Sequence, residues 1–211
     1  MLKNAGTRDL THINFYSPAP ITLPAAGPIV SQQILELINS EQIIFHNSCK
    51  TVSVKENKLI FENGDADFDL LLAVPPHIAP NVIYESGLAN EGGFIQINRD
   101  CKTSFENVYA IGDVTSLLAG EKMAVPKAGV FAEGEGLVVA QNIISKIKLQ
   151  EDSTLFDGKG GCFIESGKNT ASVIEVDMFS ESQPITKLTE STKDHLEEKI
   201  QFEKERMKKW L

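Results

Sequence analysis

The sequence predicts a mixed α/β fold, and three observations carry that prediction. The stretch "DLLLAVPP" (residues 69–76) is a continuous apolar run of the kind a central strand shows when both sheet faces are covered. In "GPIVSQQILELIN", Val30, Ile34, Leu37 and Ile38 fall on one helical face. Strand-like and helix-like segments then follow one another along 211 residues, enough chain for one large or two small domains with their own cores.

Taken in order, "THINFYSP" has the β-branched and aromatic character of a strand, stopped by Pro18 and Pro20. The helix after it carries Pro28 in its first turn, where a missing N–H costs nothing. "QIIFHN" reads as the next strand, and residues 50–69 as two more joined by a tight turn at Glu56 and Asn57. "DLLLAVPP" is the expected central strand, ended by Pro75 and Pro76. "GGFIQINRD" reads as a short strand, and Val108–Ile111 as another. Residues 128–146 form a helix whose Val130, Leu137, Val138, Ile143 and Ile144 are apolar. Gly134 and Gly136 each weaken it by about 1 kcal/mol, so their presence points to close packing. A polar linker precedes two strands, "CFIES" and "ASVIEVDMF". The tail from Thr192 to Leu211 is a charged helix opened by a capping box of Ser191 and Asp194.

The net charge of −9 and the scattered basic residues exclude nucleic acid as a main partner. No stretch reaches the roughly 20 apolar residues that span a bilayer, and the start "MLKNAGTRDL" has no apolar leader, so a cytoplasmic protein is expected. Three cysteines at wide spacing give no disulfide framework, and neither they nor the four histidines show metal-ligand spacing.

The chemistry concentrates in "VYAIGDVTS", residues 108–116. Gly112 turns the chain at the end of an apolar run and sets the Asp113 carboxylate where open α/β sheets bind ligands. A carboxylate there can accept from the hydroxyls of a ribose or ribityl chain, or it can cap the following turn. Within fifteen residues "VPKAGVFAEGEG" begins a helix whose free N–H groups suit an anionic ring edge or phosphate.

These two stretches, "TSFENVYAIGDVT" and "PKAGVFAEGEGLVVAQNI", resemble the second FAD motif and its succeeding helix in the two-dinucleotide-binding-domain flavoproteins, and "FDLLLAVPPHIAP" and "GCFIESG" resemble the same group. The resemblance is to the sulfide:quinone oxidoreductase-like branch of the pyridine nucleotide-disulfide oxidoreductases, and it runs from "THINFYSP" to the tail. It implies a partial FAD/NAD(P)-binding Rossmann-like fold with a C-terminal strand and helix extension. Residues 1–90 would be part of the second nucleotide-binding domain, 91–150 part of the FAD-binding domain, and 151–211 the C-terminal region.

By the same resemblance, Gly112, Asp113 and Val114 form the cofactor turn, with Asp113 on the ribityl chain of FAD. Ala128 and Gly129 would present N–H groups to the pyrimidine edge of the flavin. Lys127 would add charge there or stay solvated. In sulfide-oxidising members a cysteine at the position of Cys162 is one of a redox pair; the plain alternative is a small residue at a strand start. Cys49 and Cys101 read as structural. The implied reaction takes electrons from sulfide through flavin to quinone, or from NADH in a type II NADH dehydrogenase-like variant. A non-catalytic half-domain that packs on a partner is the reading from another class.

No GxGxxG, the motif that holds a dinucleotide pyrophosphate, occurs in the sequence. "GCFIESGK" has the wrong spacing for a phosphate loop. The chain therefore reads as the C-terminal half of a longer enzyme, and a homodimer or a partner chain is expected to supply the missing half. Leu196, Ile200, Met207 and Leu211, beside Lys208, Lys209 and Trp210, make a stripe that fits either a membrane surface at the inner face or packing on protein.

Overall fold

The structure, a computed structural model, describes residues 2, 5–120, 123–150, 153–180 and 184–211. It divides into two compact units, Met1–Val74 and Pro75–Leu211.

In the first unit, β1 (Ile13–Tyr16), α1 (Gly27–Ser40) and β2 (Ile43–His46) form a β-α-β crossover, with β1 and β2 parallel and Ile13 opposite Ile43. Val30 and Ile34 of α1 are buried as its apolar period requires. Buried Ser31 is satisfied because its hydroxyl donates to the Leu23 carbonyl and its own carbonyl accepts from Thr22 Oγ1. An antiparallel meander follows: β3 (Thr51–Lys55), β4 (Lys58–Phe61) and β5 (Gly64–Asp67). Asn57, in the β3–β4 turn, takes the left-handed conformation that asparagine tolerates. The third strand was not expected. "GDAD" has no strand-like side chains, and its place is fixed by backbone pairing to β4, Phe61 opposite Gly64. Leu59 and Phe61 are buried, and Tyr16 stacks between His46 and Phe61.

The expected central strand at residues 69–76 is not a strand. It pairs with no strand among the described residues, and Leu72 and Val74 are 87% and 90% exposed. A run of this composition becomes a strand only when neighbours cover it on both faces, and here no described residue does so.

The second unit holds the larger core. It contains α2 (Asn81–Glu85), β6 (Ile95–Gln96), β7 (Thr115–Ser116), β8 (Leu118–Ala119), β9 (Met123–Ala124), α3 (Gly129–Ile147), β10 (Lys159–Gly167), β11 (Thr170–Asp177), β12 (Ile185–Leu188) and α4 (Lys193–Trp210). β6 and β7 pair in parallel, and β10, β11 and β12 form an antiparallel meander. The hairpin turn between β10 and β11 is Lys168–Asn169, both left-handed, as the right-handed twist of a two-residue connection requires. Ile95, Ile97, Cys101, Phe131, Val138, Phe156 and Met178 make one buried cluster. Phe131, Phe156 and Phe179 meet edge to face, and the Arg99 guanidinium sits 4.4 Å over Phe179.

Three details differ from expectation. Among the described residues, 108–111 pair on one side alone, through an antiparallel bridge of Tyr109 to Lys102, and Val108 and Ile111 are exposed while Ala110 is buried. β12 was not foreseen. The cap of α4 is Thr192, whose side chain accepts from the His195 N–H, whereas Ser191 hydrogen-bonds Thr170. Among the described residues no helix is long and apolar enough to cross a membrane.

Candidate functional site

Gly112, Asp113 and Val114 form a single 3₁₀ turn between the 108–111 segment and β7. Gly112 has φ +75°, a conformation that side-chain-bearing residues rarely adopt, and its carbonyl accepts from Thr115 Oγ1. Val114 is half-buried and packs against the buried cluster. Asp113 is exposed, and its carboxylate has no hydrogen-bond partner among the described residues.

The N-terminus of α3 lies beside this turn: a Cβ on Gly112 would stand 3.5 Å from Ala132 Cβ. Ala128 is the N-cap, and no side chain caps the helix. Gly129 faces open space, and the first intrahelical acceptance is by the Ala128 carbonyl, from Phe131 and Ala132. An uncapped first turn packed against a turn that carries an exposed carboxylate fits a ligand that has both hydroxyl donors and an electron-rich, hydrogen-bond-accepting edge.

Lys127 is not directed outward into solvent. Its ammonium donates to the Asp113 carbonyl at 2.6 Å and the Thr115 carbonyl at 2.8 Å, and stands 3.7 Å from the centroid of Phe94. Burial pushes its pKa down, while the Asp113 and Glu135 charges pull it back up.

Glu135, which sequence reasoning missed, is 3% exposed and reaches the same turn: its carboxylate accepts from the Gly112 N–H at 2.5 Å. Burial pushes its pKa up, against the opposing pull of that N–H and of Lys127. It belongs to a stripe on α3, Phe131, Glu135, Val138, Asn142 and Ser145, in which polar residues hold flanking loops. Asn142 donates to the carbonyls of Asp100 and Thr154 and accepts from the Thr154 N–H. The spacing of Glu135 between Phe131 and Val138 is the signal that could have placed it on the buried face.

Of the two helix glycines, Gly134 is required by close approach, since a Cβ there would lie 2.7 Å from Phe156; at Gly136 the nearest atom, Ile111 Cδ1, is an ordinary 3.6 Å away.

Cys162 lies in β10, opposite Ile174. Strand alternation gives it the same face as Gly160, which meets Phe131 of α3, while Phe163 on the other face packs edge to face on Phe202 of α4. Cys162 is exposed, yet its surroundings desolvate the thiol enough to push its pKa up, and no cation is among the causes. Cys101 is fully buried, its pKa pushed up to about 12 by burial and the neighbouring acids, and its sulfur lies 3.8 Å from the Glu135 carbonyl. Cys49 belongs to the other unit. Among the described residues no group of histidines, cysteines and carboxylates is arranged to hold a metal.

The same organisation occurs in known proteins. The chain is 25% identical over 165 residues to the mitochondrial sulfide:quinone oxidoreductase of Schizosaccharomyces pombe, covering 74% of this chain and 35% of that protein. It is 38% identical over 126 residues to the dihydrolipoyl dehydrogenase of Buchnera aphidicola, covering 53% and 26%. The X-ray structure of the sulfide:quinone oxidoreductase from Aquifex aeolicus superposes with a TM-score of 0.81 at 23% identity, over 96% of this chain and 51% of that one. The chain thus spans about a third of the length of the first relative and about half of the solved structure. The pyridine nucleotide-disulphide oxidoreductase model matches residues 11–136, more than half of the sequence and through the Gly112–Val114 turn into α3. With its α/β architecture and strand-end turn already in place, the chain belongs to the pyridine nucleotide-disulphide oxidoreductase family.

Proposed function

We propose that this chain is the flavin-contacting and C-terminal portion of an FAD-dependent oxidoreductase that takes electrons from sulfide and delivers them to a quinone. The observation that carries this reading is that the left-handed Gly112 turn, which carries the exposed Asp113, packs against the uncapped first turn of α3. FAD, when bound, supplies reversible two-electron chemistry. The Asp113 carboxylate would accept from the ribityl hydroxyls, the Gly112 and Val114 backbone would shape the turn around the chain, and the N–H groups of Ala128 and Gly129 would face the pyrimidine edge, where their partial positive charge suits an electron-rich ring. Lys127 supports that edge indirectly, by tying its own segment to the Asp113 and Thr115 carbonyls.

Cys162 is the candidate sulfur-handling thiol. Its place on the α3 side of β10 supports the role, while its raised pKa leaves it protonated at neutral pH, so attack on sulfur requires a cation or base brought to it. Ile200, Met207 and Trp210 of α4 and Leu211 at its C-cap stay exposed although Arg206 and Lys209 pair with Glu133 of α3. That apolar edge is the proposed site of peripheral membrane contact, which suits a quinone substrate and an enzyme at the inner face of a membrane.

A second reading, a half-domain that acts only against a companion chain, is favoured by the exposed run Leu70, Leu72, Val74 and Ile78. Absorption spectra of the purified chain, before and after incubation with FAD and removal of free dye, separate the two. A retained, protein-perturbed flavin spectrum that sulfide bleaches supports the enzyme reading, and bleaching by NADH alone redirects it to the NADH-dependent variant. A chain that stays colourless and binds only a companion supports the half-domain.

A further inference from the structure

Glu135 is a costly residue to bury. A carboxylate in a helix interior face needs strong compensation, and here the compensation goes to one backbone group, the Gly112 N–H, with the Lys127 ammonium as the nearby countercharge. Gly112 is left-handed, so the turn that presents Asp113 is held from two sides: Glu135 grips its first amide, and Lys127 grips the Asp113 and Thr115 carbonyls that follow. The helix that offers its N-terminus to a ligand therefore also fixes, two turns further along, the loop that carries the acceptor for that ligand.

We propose that Glu135 is the positioning residue of this site: by accepting the Gly112 N–H it holds the Gly112–Asp113 turn in its left-handed conformation against the first turn of α3. The inference rests on the flavin reading for its ligand, although not for its structural content. Glu135 itself does not touch the ligand. Its carboxylate lies on the buried stripe of α3, whereas the open positions are at Ala128 and Gly129. The charged groups that face it are Lys127 from the segment ahead of α3 and Asp113 from the turn. Cys101, from the loop beneath, feels its charge.

The test uses the whole chain. Ile111–Gly112 is the sole Ile–Gly step in the sequence, so labelling with carbonyl-¹³C isoleucine and ¹⁵N glycine isolates one amide resonance. In the wild type that amide proton is expected downfield and slow to exchange, because it is bonded to a carboxylate. Glu135→Gln keeps an acceptor and is expected to keep the protection, with flavin affinity within about threefold. Glu135→Leu removes it, and both exchange protection and affinity for added FAD are expected to fall by about tenfold or more, the scale of an unsatisfied buried N–H. Protection and shift unchanged in Glu135→Leu overturn the proposal. So does a Glu135→Gln protein that keeps the amide protected yet loses flavin as Glu135→Leu does, because the side chain then acts by charge alone. If Glu135→Leu fails to fold, the Gln variant decides by the same two readouts. A wild-type chain that retains no FAD sinks the flavin reading, while the Gly112 amide still decides whether Glu135 holds the turn.

Discussion

The two compact units bury their apolar residues to different extents. In Pro75–Leu211 the aromatic residues Phe131, Phe156 and Phe179 converge on one cluster, closed by Cys101 and Met178, and both long helices α3 and α4 pack on the β10–β12 meander or its surroundings. In Met1–Val74 a two-stranded parallel sheet and a separate meander share a small core, and the chain leaves the unit through an apolar run that nothing described covers. Parallel sheets normally have both faces covered, so the first unit is the part of the molecule that calls for a neighbour. The candidate site is built on the unit with the larger buried cluster.

That contrast can be broken most sharply at Phe156. Phe156→Ala should cost about 3–5 kcal/mol, because a fully packed ring leaves a cavity. Chemical denaturation should show the loss in a transition that Gly112 and α3 amides follow while β3–β5 amides do not. A single transition shared by all amides would show that the units stand or fall together.

Gly134→Ala comes next. The added methyl would meet Phe156 at 2.7 Å, so a loss of about 1–3 kcal/mol is expected. Gly136→Ala has room and should stabilise the helix by up to about 1 kcal/mol. Equal effects at the two positions, read from thermal midpoints, would remove the close-approach explanation for Gly134.

A smaller effect should follow pH. The pKa of Glu135 is raised on folding by burial, so its contribution to stability is fully present below the unfolded carboxylate value and is lost as pH rises through the higher folded value. Glu135→Gln removes the titrating group. The wild type should therefore gain stability relative to Glu135→Gln as pH falls to the unfolded carboxylate value of about 4.3, and a constant difference down to that pH would contradict it.

The smallest effect on the isolated chain is expected at Leu72. Leu72→Asp changes an exposed side chain and should leave stability within about 0.5 kcal/mol. Self-association measured by light scattering should nevertheless fall if the 70–78 run is a contact surface. Unchanged association would assign the contact elsewhere.

How much of this was legible in the sequence depended on what holds each element. The helices α1 and α3 were legible because their apolar residues recur at helical spacing, and Gly134 was legible as a close-packing glycine. The strand at 69–76 was misread because composition reports what a segment can bury, while strand formation depends on a neighbour. β5 and β12 were missed for the opposite reason: backbone pairing fixes them, and "GDAD" carries no side-chain signal. In the site, the turn at Gly112 and the start of α3 were legible from glycine, acid and spacing. Glu135 was not, because a charged residue on a helix reads as solvent-facing until its register with Phe131 and Val138 is checked. Leu137, Ile143 and Ile144, which look like core residues, are exposed, and Asn142 and Ser145 are buried in their stead.

The prolines that follow the exposed run have a bearing on how safely such a surface can exist. Between Asp69 and Pro75 lie five apolar residues, Leu70 to Val74. Self-templating cross-β stacks need about six or seven consecutive residues free of proline. Pro75 and Pro76 supply no N–H to a growing ladder, and Asp69 puts a charge at the other end. A charge at one end and two prolines at the other thus flank the exposed run as gatekeepers, which disfavour open-ended cross-β stacking of such a surface.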